Sequence, residues 1–433
     1  MKDVIYSSKQ DLEIRQLELL NQLLGEVLAS NPFYQKKADS RRKRNLFTSV
    51  RDFTRLFPLT TKAEWVADQE THPPYGTNLT YPISHYTRCH QTSGTSGTPM
   101  RWLDTATTWN FVIDDWIEVM RAAELQQSDR FFFAFSFGPF LGFWAAFEAA
   151  LKLGGFCLSG GGMSTETRLQ AMISNEITVL ACTPTYALRM GEVAAELGID
   201  REGLPLRCIL VAGEPGGSQL SVRQRLAELW PTALVFDHHG MTETGPVSFQ
   251  CPNMPGVLHL IDSSYLAEVV DLVTLLPVAP GERGELILTT LRRAGSPLIR
   301  YRTGDLVELR KPGSCGCRRN HTALTGGIIG RCDDMTVVRG VNVYPSAIDE
   351  IIRSTGGVAE YQVQVSEHRS LVELTIRIEV QRDAPSSSAV VQNLERELQK
   401  RLALRVPVEV VPGNSLPRFE MKARRWVKEC QPT

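Results

Sequence analysis

Residues 131–153 read FFFAFSFGPFLGFWAAFEAALKL. An aromatic, β-favouring run, Phe131–Phe137, gives way at Gly138-Pro139 to an apolar stretch of helical character, Leu141–Leu153. The alternation recurs outward. Thr178–Cys182, Leu206–Val211 and Ala233–Phe236 are short apolar runs that read as buried strands, with helical stretches between them. Such alternation predicts an α/β domain around a largely parallel sheet. Upstream, Leu12, Leu19, Leu20, Leu23, Leu24 and Val27 lie at helical spacing, and Asn31-Pro32 ends that helix. Downstream, 256–330 becomes β-rich, with strands expected at Glu285–Leu291 and Leu306–Leu309.

Past Arg331–Asp334 the pattern changes. A strand at Val337–Val343, a helix at Ser346–Ser354 and a strand pair at Tyr361–Val365 and Leu371–Val380 are expected. Val390, Val391, Leu394, Leu398 and Leu402 then mark a helix, and Val408–Val411 a final strand. The expectation is a large α/β N-terminal domain with mixed sheets, 1–332, followed by a small α+β domain, 333–433.

At 433 residues the chain has room for two or three domains. Hydrophobic residues make up 42% and charged residues 22%, which excludes wholesale disorder. Lys plus Arg is 47 against 48 Asp plus Glu, so no excess of charge favours nucleic acid or an anionic membrane as partner. No apolar run is long enough to span a bilayer, and the first twenty residues lack a signal-peptide core; a cytoplasmic address is expected. Nine cysteines, an odd number scattered through a large chain, suit free thiols and a metal site better than a disulfide framework.

Chemistry concentrates in a few stretches. Gln91-Thr92-Ser93-Gly94-Thr95-Ser96-Gly97-Thr98-Pro99-Met100 combines glycines that let backbone approach a ligand with hydroxyls and N–H groups suited to phosphate oxygens. It lacks the Lys-Ser/Thr of a P-loop, which sets aside a P-loop kinase or GTPase. Asp237-His238-His239-Gly240-Met241-Thr242-Glu243-Thr244 follows a buried strand, where open α/β sheets bind ligands. Tyr301-Arg302-Thr303-Gly304-Asp305-Leu306 offers a carboxylate able to take both ribose hydroxyls. Gly330-Arg331-Cys332-Asp333-Asp334-Met335 and Arg339-Gly340-Val341-Asn342-Val343-Tyr344-Pro345 come next. Pro417-Arg418-Phe419-Glu420-Met421-Lys422-Ala423-Arg424-Arg425 closes the series, although most basic tails of this kind are solvated surface. No Gly-x-Ser-x-Gly elbow occurs, which rejects a Ser-His-Asp hydrolase.

In order and spacing these motifs resemble the adenylate-forming superfamily and, within it, the phenylacetate–CoA ligase family. The resemblance runs from about Asn31-Pro32-Phe33-Tyr34, through Pro58-Leu59-Thr60-Thr61-Lys62, to Lys422. It implies two half-reactions: a carboxylate attacks the α-phosphorus of ATP to give an acyl-adenylate and pyrophosphate, then a thiol, usually coenzyme A, displaces AMP. Thr92, Ser93, Gly94, Thr95, Ser96, Gly97 and Thr98 would hold the β- and γ-phosphates, Thr242 the α-phosphate, and Glu243 a Mg²⁺ ion. Gly213-Glu214-Pro215 would line the adenine pocket, with Asp237, His238, His239, Gly240 and Met241 in the same nucleotide site. Asp305 would take the ribose hydroxyls, Arg331 standing near. Lys422 would bridge acid and α-phosphate, Asp333 or Asp334 would be the hinge, and Arg339-Gly340 would swing in for the thiol step. A mobile C-terminal domain follows from that division. Three departures stand out: His239 replaces the usual tyrosine, Met421 the usual glycine before the lysine, and Thr98-Pro99 the lysine often found in the phosphate loop.

Cys251 and His259, eight residues apart, with Cys315-Gly316-Cys317 further on, make a Cys₃His set suited to closed structural zinc. Spacing alone leaves two loops with incidental cysteines open; the resemblance, whose members include zinc proteins of this kind, favours the metal. Cys89, Cys157, Cys182, Cys208 and Cys332 are expected as packed thiols. Phe135, Ser136, Phe137, Gly138, Phe140 and Gly161 fall where the family shapes its acid pocket, which suits an aryl or arylacetic acid, although a Phe-rich strand is also ordinary core. The expected partners are that acid and coenzyme A, or a carrier protein in trans, with a homodimer compatible with the chain. A catalytically inactive nucleotide sensor is disfavoured because Glu243, Asp305 and Lys422 are all present.

Overall fold

In the computed structural model, which describes residues 8–38, 47–92, 99–339, 341–368, 371–381, 384, 386–419 and 423–428, the apolar runs become one five-stranded parallel sheet. Its order is Phe156–Ser159, Arg130–Phe133, Val179–Cys182, Cys208–Val211, Leu234–Asp237. Alternate residues feed two cores. Phe131, Phe133, Val179, Ala181, Cys208, Leu210 and Phe236 enter one; Phe132, Leu180, Cys182, Ile209, Val211 and Val235 enter the other. Burial on both faces explains why these four strands show no polar alternation, whereas the edge strand Phe156–Ser159 is partly exposed.

The first of these cores also receives Leu260, Tyr265, Leu286, Leu288, Val307 and Leu324 from an antiparallel sheet. That sheet runs Ser248–Gln250, Val257–Leu260, Ala323–Arg331, Tyr301–Arg310, Arg283–Thr290, Tyr265–Val270. Helices Ala106–Ala122 and Leu141–Leu153 fill the space between. The former starts on a Thr105–Thr108 capping box, and the latter stops at Gly154, whose φ of 93° a side chain would resist. A third core, built from Val338 onward, joins Ile348, Ile351 and Ile352 of helix Pro345–Thr355, Leu394 and Leu398 of helix Ser387–Leu402, and Val363, Ile376 and Ile378 of a four-stranded sheet. Among the described residues no helix is long and apolar enough to cross a membrane.

Several expectations need correction. The strand expected over Phe131–Phe137 stops at Phe133; Ala134 N still donates to Ala181 O, then Pro139 lacks an N–H and Phe137 takes φ 52°, so the chain leaves the sheet. Val337–Val343 is two short antiparallel strands, Thr336–Val338 and Val341–Val343, turned at Arg339 with φ 49°. Leu306–Leu309 is the middle of a ten-residue strand. In the basic stretch 417–425, Arg418 and Arg425 are bound to the buried carboxylates of Glu379 and Glu360. Cys182 and Cys208 are packed as expected, whereas Cys89 is exposed.

Candidate active site

The five parallel strands end together, and the loops that leave their carboxyl ends carry most of the expected site. They are 134–140 after Phe133, 160–163 after Ser159, 212–217 after Val211, and 238–244 after Asp237. A parallel sheet collects these loops on one edge whatever their sequence separation, and ligands bind there.

At the end of the last strand, Asp237 is buried and accepts from Ser218 Oγ at 2.5 Å. Burial pushes its carboxyl up to about 6, while the Ser218 hydroxyl and the Arg223 charge pull the other way. His238 turns into the core, its ring edge-on to Trp116 at 4.3 Å, and burial together with the neighbouring His239 pushes it down to about 3. His239 faces the other way: its Nε2 lies 3.1 Å from Asp305 Oδ2. Arg331 Nη1 lies 3.0 Å from Asp305 Oδ1 and also donates to Thr303 O. Burial alone would raise the Asp305 carboxyl; His239 and Arg331 overcome it and hold the group below the usual carboxylate range. Arg331 and Asp305 sit directly opposite each other in the strand pair, which fixes this contact through the backbone. The second edge of the Arg331 guanidinium binds Asp333.

Glu243 is buried and its Oε1 accepts from Tyr301 Oη at 3.0 Å. Tyr301 in turn stacks on Trp65, ring centroids 4.7 Å apart. The Glu243 backbone carbonyl accepts from Arg293, which is paired with Asp104 in a buried bidentate bridge. Sequence reading assigned no role to Tyr301, Trp65, Arg293 or Asp104. Tyr301 opened a motif already singled out, so its place could have been asked; a lone Asp in a strand gave no signal of its distant arginine.

Thr92 begins the hydroxyl-rich loop as a hairpin connection: its N–H donates to Met100 O, its Oγ1 accepts from Met100 N, and Gln91 pairs with Arg101. Ser93, Gly94, Thr95, Ser96, Gly97 and Thr98 lie outside the described residues, as do Gly340 and Lys422. The residue after Lys422 is described. Ala423 N donates to Glu214 Oε2 at 3.0 Å, which brings the C-terminal segment onto the 213–215 loop. Arg339 pairs instead with Glu373 on strand Leu371–Val380 of the four-stranded C-terminal sheet.

On the opposite side of the sheet edge, Gln91 N donates to Pro139 O, tying the hairpin to the Phe-rich loop. Phe135, Phe137, Gly138 and Phe140 are half-buried and Ser136 is exposed. Phe137 packs edge-on against Trp144 and Phe147, and its backbone is left-handed at φ 52°, a conformation that bulky residues seldom adopt. A Cβ on Gly161 would lie 3.5 Å from Phe135 O and 3.6 Å from the Phe137 ring, so the two loops meet there.

A second constellation lies in the antiparallel sheet. Cys251, His259, Cys315 and Cys317 are all buried and their ligand atoms fall within 4.8 Å of one another. Strand pairing sets His259 beside the 251 turn, and the loop after Tyr301–Arg310 brings in the two later cysteines. Cys317 Sγ is 3.3 Å and Cys315 Sγ 3.5 Å from His259 Nε2.

Residues 90–291 match the AMP-binding enzymes, and residues 340–429 the AMP-binding enzyme C-terminal domain. A phenylacetate-coenzyme A ligase of Escherichia coli strain K12 is 30% identical over 433 residues, 97% of this chain and 95% of that protein. A 2-hydroxyisobutyryl-CoA ligase solved in the postadenylation state with R3-HIB-AMP superposes with a TM-score of 0.90 at 26% identity, covering 99% of this chain and 92% of that one. In its thioesterification state, with 2-HIB-AMP and CoA, the same enzyme superposes with a TM-score of 0.73 at the same coverage. The chain superposes more closely on the first of these two structures than on the second. By its sequence, its fold and the gathering of its motifs at one sheet edge, the chain belongs to the phenylacetate–CoA ligase family of AMP-binding enzymes, and it is an ATP-dependent, AMP-forming acid–CoA ligase.

Proposed function

We propose that the acid activated here is aromatic, an aryl or arylacetic acid, and that the motif residues divide the two half-reactions between them. The observation that carries the aromatic assignment is the strained Phe135–Phe140 loop, which meets Gly161 at the carboxyl end of the central strands. The rings of Phe135, Phe137 and Phe140 supply flat apolar contact, and Gly161 leaves room for a ring. The phenylacetate named for the relative supports the same reading.

In this reading Asp305, steadied by His239 and Arg331, takes the ribose hydroxyls, and Gly213-Glu214-Pro215 with Asp237, His239, Gly240 and Met241 line the adenosine site, while His238, turned into the core, does not. Thr92 to Thr98 hold the outer phosphates and Thr242 the α-phosphate. Lys422 supplies a fixed positive charge where acid carboxylate and α-phosphate share negative charge. Glu243 would hold magnesium: its carboxylate is buried, touches a neutral phenol, and has no salt-bridge partner among the described residues. That ion would offset phosphate charge. Cys251, His259, Cys315 and Cys317 fit structural zinc, being four soft or borderline donors gathered in a buried closed set. Residues 1–332 bind ATP and acid, and residues 333–433 form the mobile domain that brings Lys422, then Arg339-Gly340, to the site.

The test is pyrophosphate release against aryl, arylacetic, fatty and amino acids, with coenzyme A or a holo-carrier protein as acceptor. Preference for an aromatic acid and for coenzyme A is expected. Preference for a fatty or amino acid would end the aromatic assignment.

A further inference from the structure

Glu214 accepts two backbone hydrogen bonds, one from its own domain and one from near the C-terminus. Its Oε1 accepts from Thr185 N at 2.9 Å, the second residue of helix Pro184–Glu196. Its Oε2 accepts from Ala423 N at 3.0 Å, across 209 residues. The first contact does not depend on the C-terminal domain. A carboxylate at a helix N-terminus satisfies a free N–H and meets the positive end of the helix dipole, so the side chain is oriented before any docking. Its second oxygen is then a preformed acceptor, and Ala423, covalently next to Lys422, supplies the donor.

The segment around Ala423 is held at its flanks by its own domain. On one side Arg418 binds Glu379, whose oxygens also accept from Asn414 N and Leu416 N. On the other, Arg425 makes a bidentate bridge to Glu360. Between these anchors Ala423 N reaches Glu214. We propose that Glu214 is a positioning residue for adenylation: it captures the Ala423 amide and thereby fixes where Lys422 stands, and it releases that amide when the domain turns for the thiol step. This rests on the proposed role of Lys422.

The two half-reactions separate this from a role in holding adenine, because both bind the adenosine moiety. Adenylation is measured by pyrophosphate release, and thioester formation from supplied acyl-adenylate and coenzyme A, for Glu214→Ala, Glu214→Gln and Lys422→Ala. Backbone hydrogen exchange at Ala423 is followed in parallel. Glu214→Ala is expected to slow adenylation at least tenfold more than thioester formation and to speed Ala423 exchange. Glu214→Gln, which keeps an acceptor oxygen, recovers part of both. Equal slowing of the two half-reactions by Glu214→Ala, or unchanged Ala423 exchange, overturns the proposal. If Lys422→Ala is selective while Glu214→Ala is not, only this inference falls; if Lys422→Ala slows both steps alike, the reading beneath it falls as well.

Discussion

His90 and His238 show what burial does to single residues. His90 lies flat against Trp109, and burial pushes it down to about 4; His238, edge-on to Trp116, is pushed down to about 3. An unfolded histidine takes up a proton near pH 6.5, so below that the unfolded chain binds protons that the fold refuses. Their contribution is whole above pH 6.5 and is lost as pH falls toward 4, at a limiting slope of about 1.4 kcal/mol per pH unit for each. Urea unfolding at pH 7 and pH 5 should show a smaller loss of stability in His90→Leu than in the parent chain; an equal loss would mean that this ring is not refusing its proton. At this scale the sequence was legible where a residue belonged to a motif. Asp305, Glu243 and His239 could be named because their neighbours named them. Asp104 and Arg293 could not, since a buried ion pair joins residues that nothing in the chain order connects.

Elements were legible where one periodicity ruled. Four of the five parallel strands announced themselves because both their faces are buried; the part-exposed edge strand Phe156–Ser159 and the helix Ala106–Ala122 were not read. Val337–Val343 misled because a two-strand hairpin and one strand share an apolar pattern; only the positive φ at Arg339 parts them. The strand Trp426–Lys428 was missed, three residues long and paired in parallel with a partner more than sixty residues earlier. The four-donor cluster was readable as residue types, but its closure needed strand pairing to bring His259 to the cysteines. Purified protein should carry about one zinc per chain. Cys315→Ser should lower the melting temperature before it changes turnover, since a closed site leaves no position for substrate. Full stability without metal would refute the site.

For the whole molecule, the decisive comparison is between poses. The whole chain matches the postadenylation structure of one enzyme better than that enzyme's thioesterification structure. Arg331 spans the junction, one edge on Asp305 and the other on Asp333. Lys422→Ala should nearly abolish acyl-adenylate formation, by a hundredfold or more for an electrostatic contact of roughly 3–4 kcal/mol, while sparing thioester formation from supplied acyl-adenylate. Proline at Asp333 should do the reverse by restricting the hinge. Single-turnover measurement of each half-reaction decides both. The Arg425–Glu360 bridge and the three-residue strand beyond it also make the far end of the chain a tether. A wire hangs true only while both posts stand. Deleting residues 426–433 touches no residue of the nucleotide site and leaves Arg425 O its bond from Val363 N, but it removes the strand Trp426–Lys428 that pairs with Val363–Val365 and continues that hold. Such a truncated protein should still bind ATP and still unfold cooperatively, with its adenylation rate reduced at least tenfold; an unchanged rate would show that one post is enough.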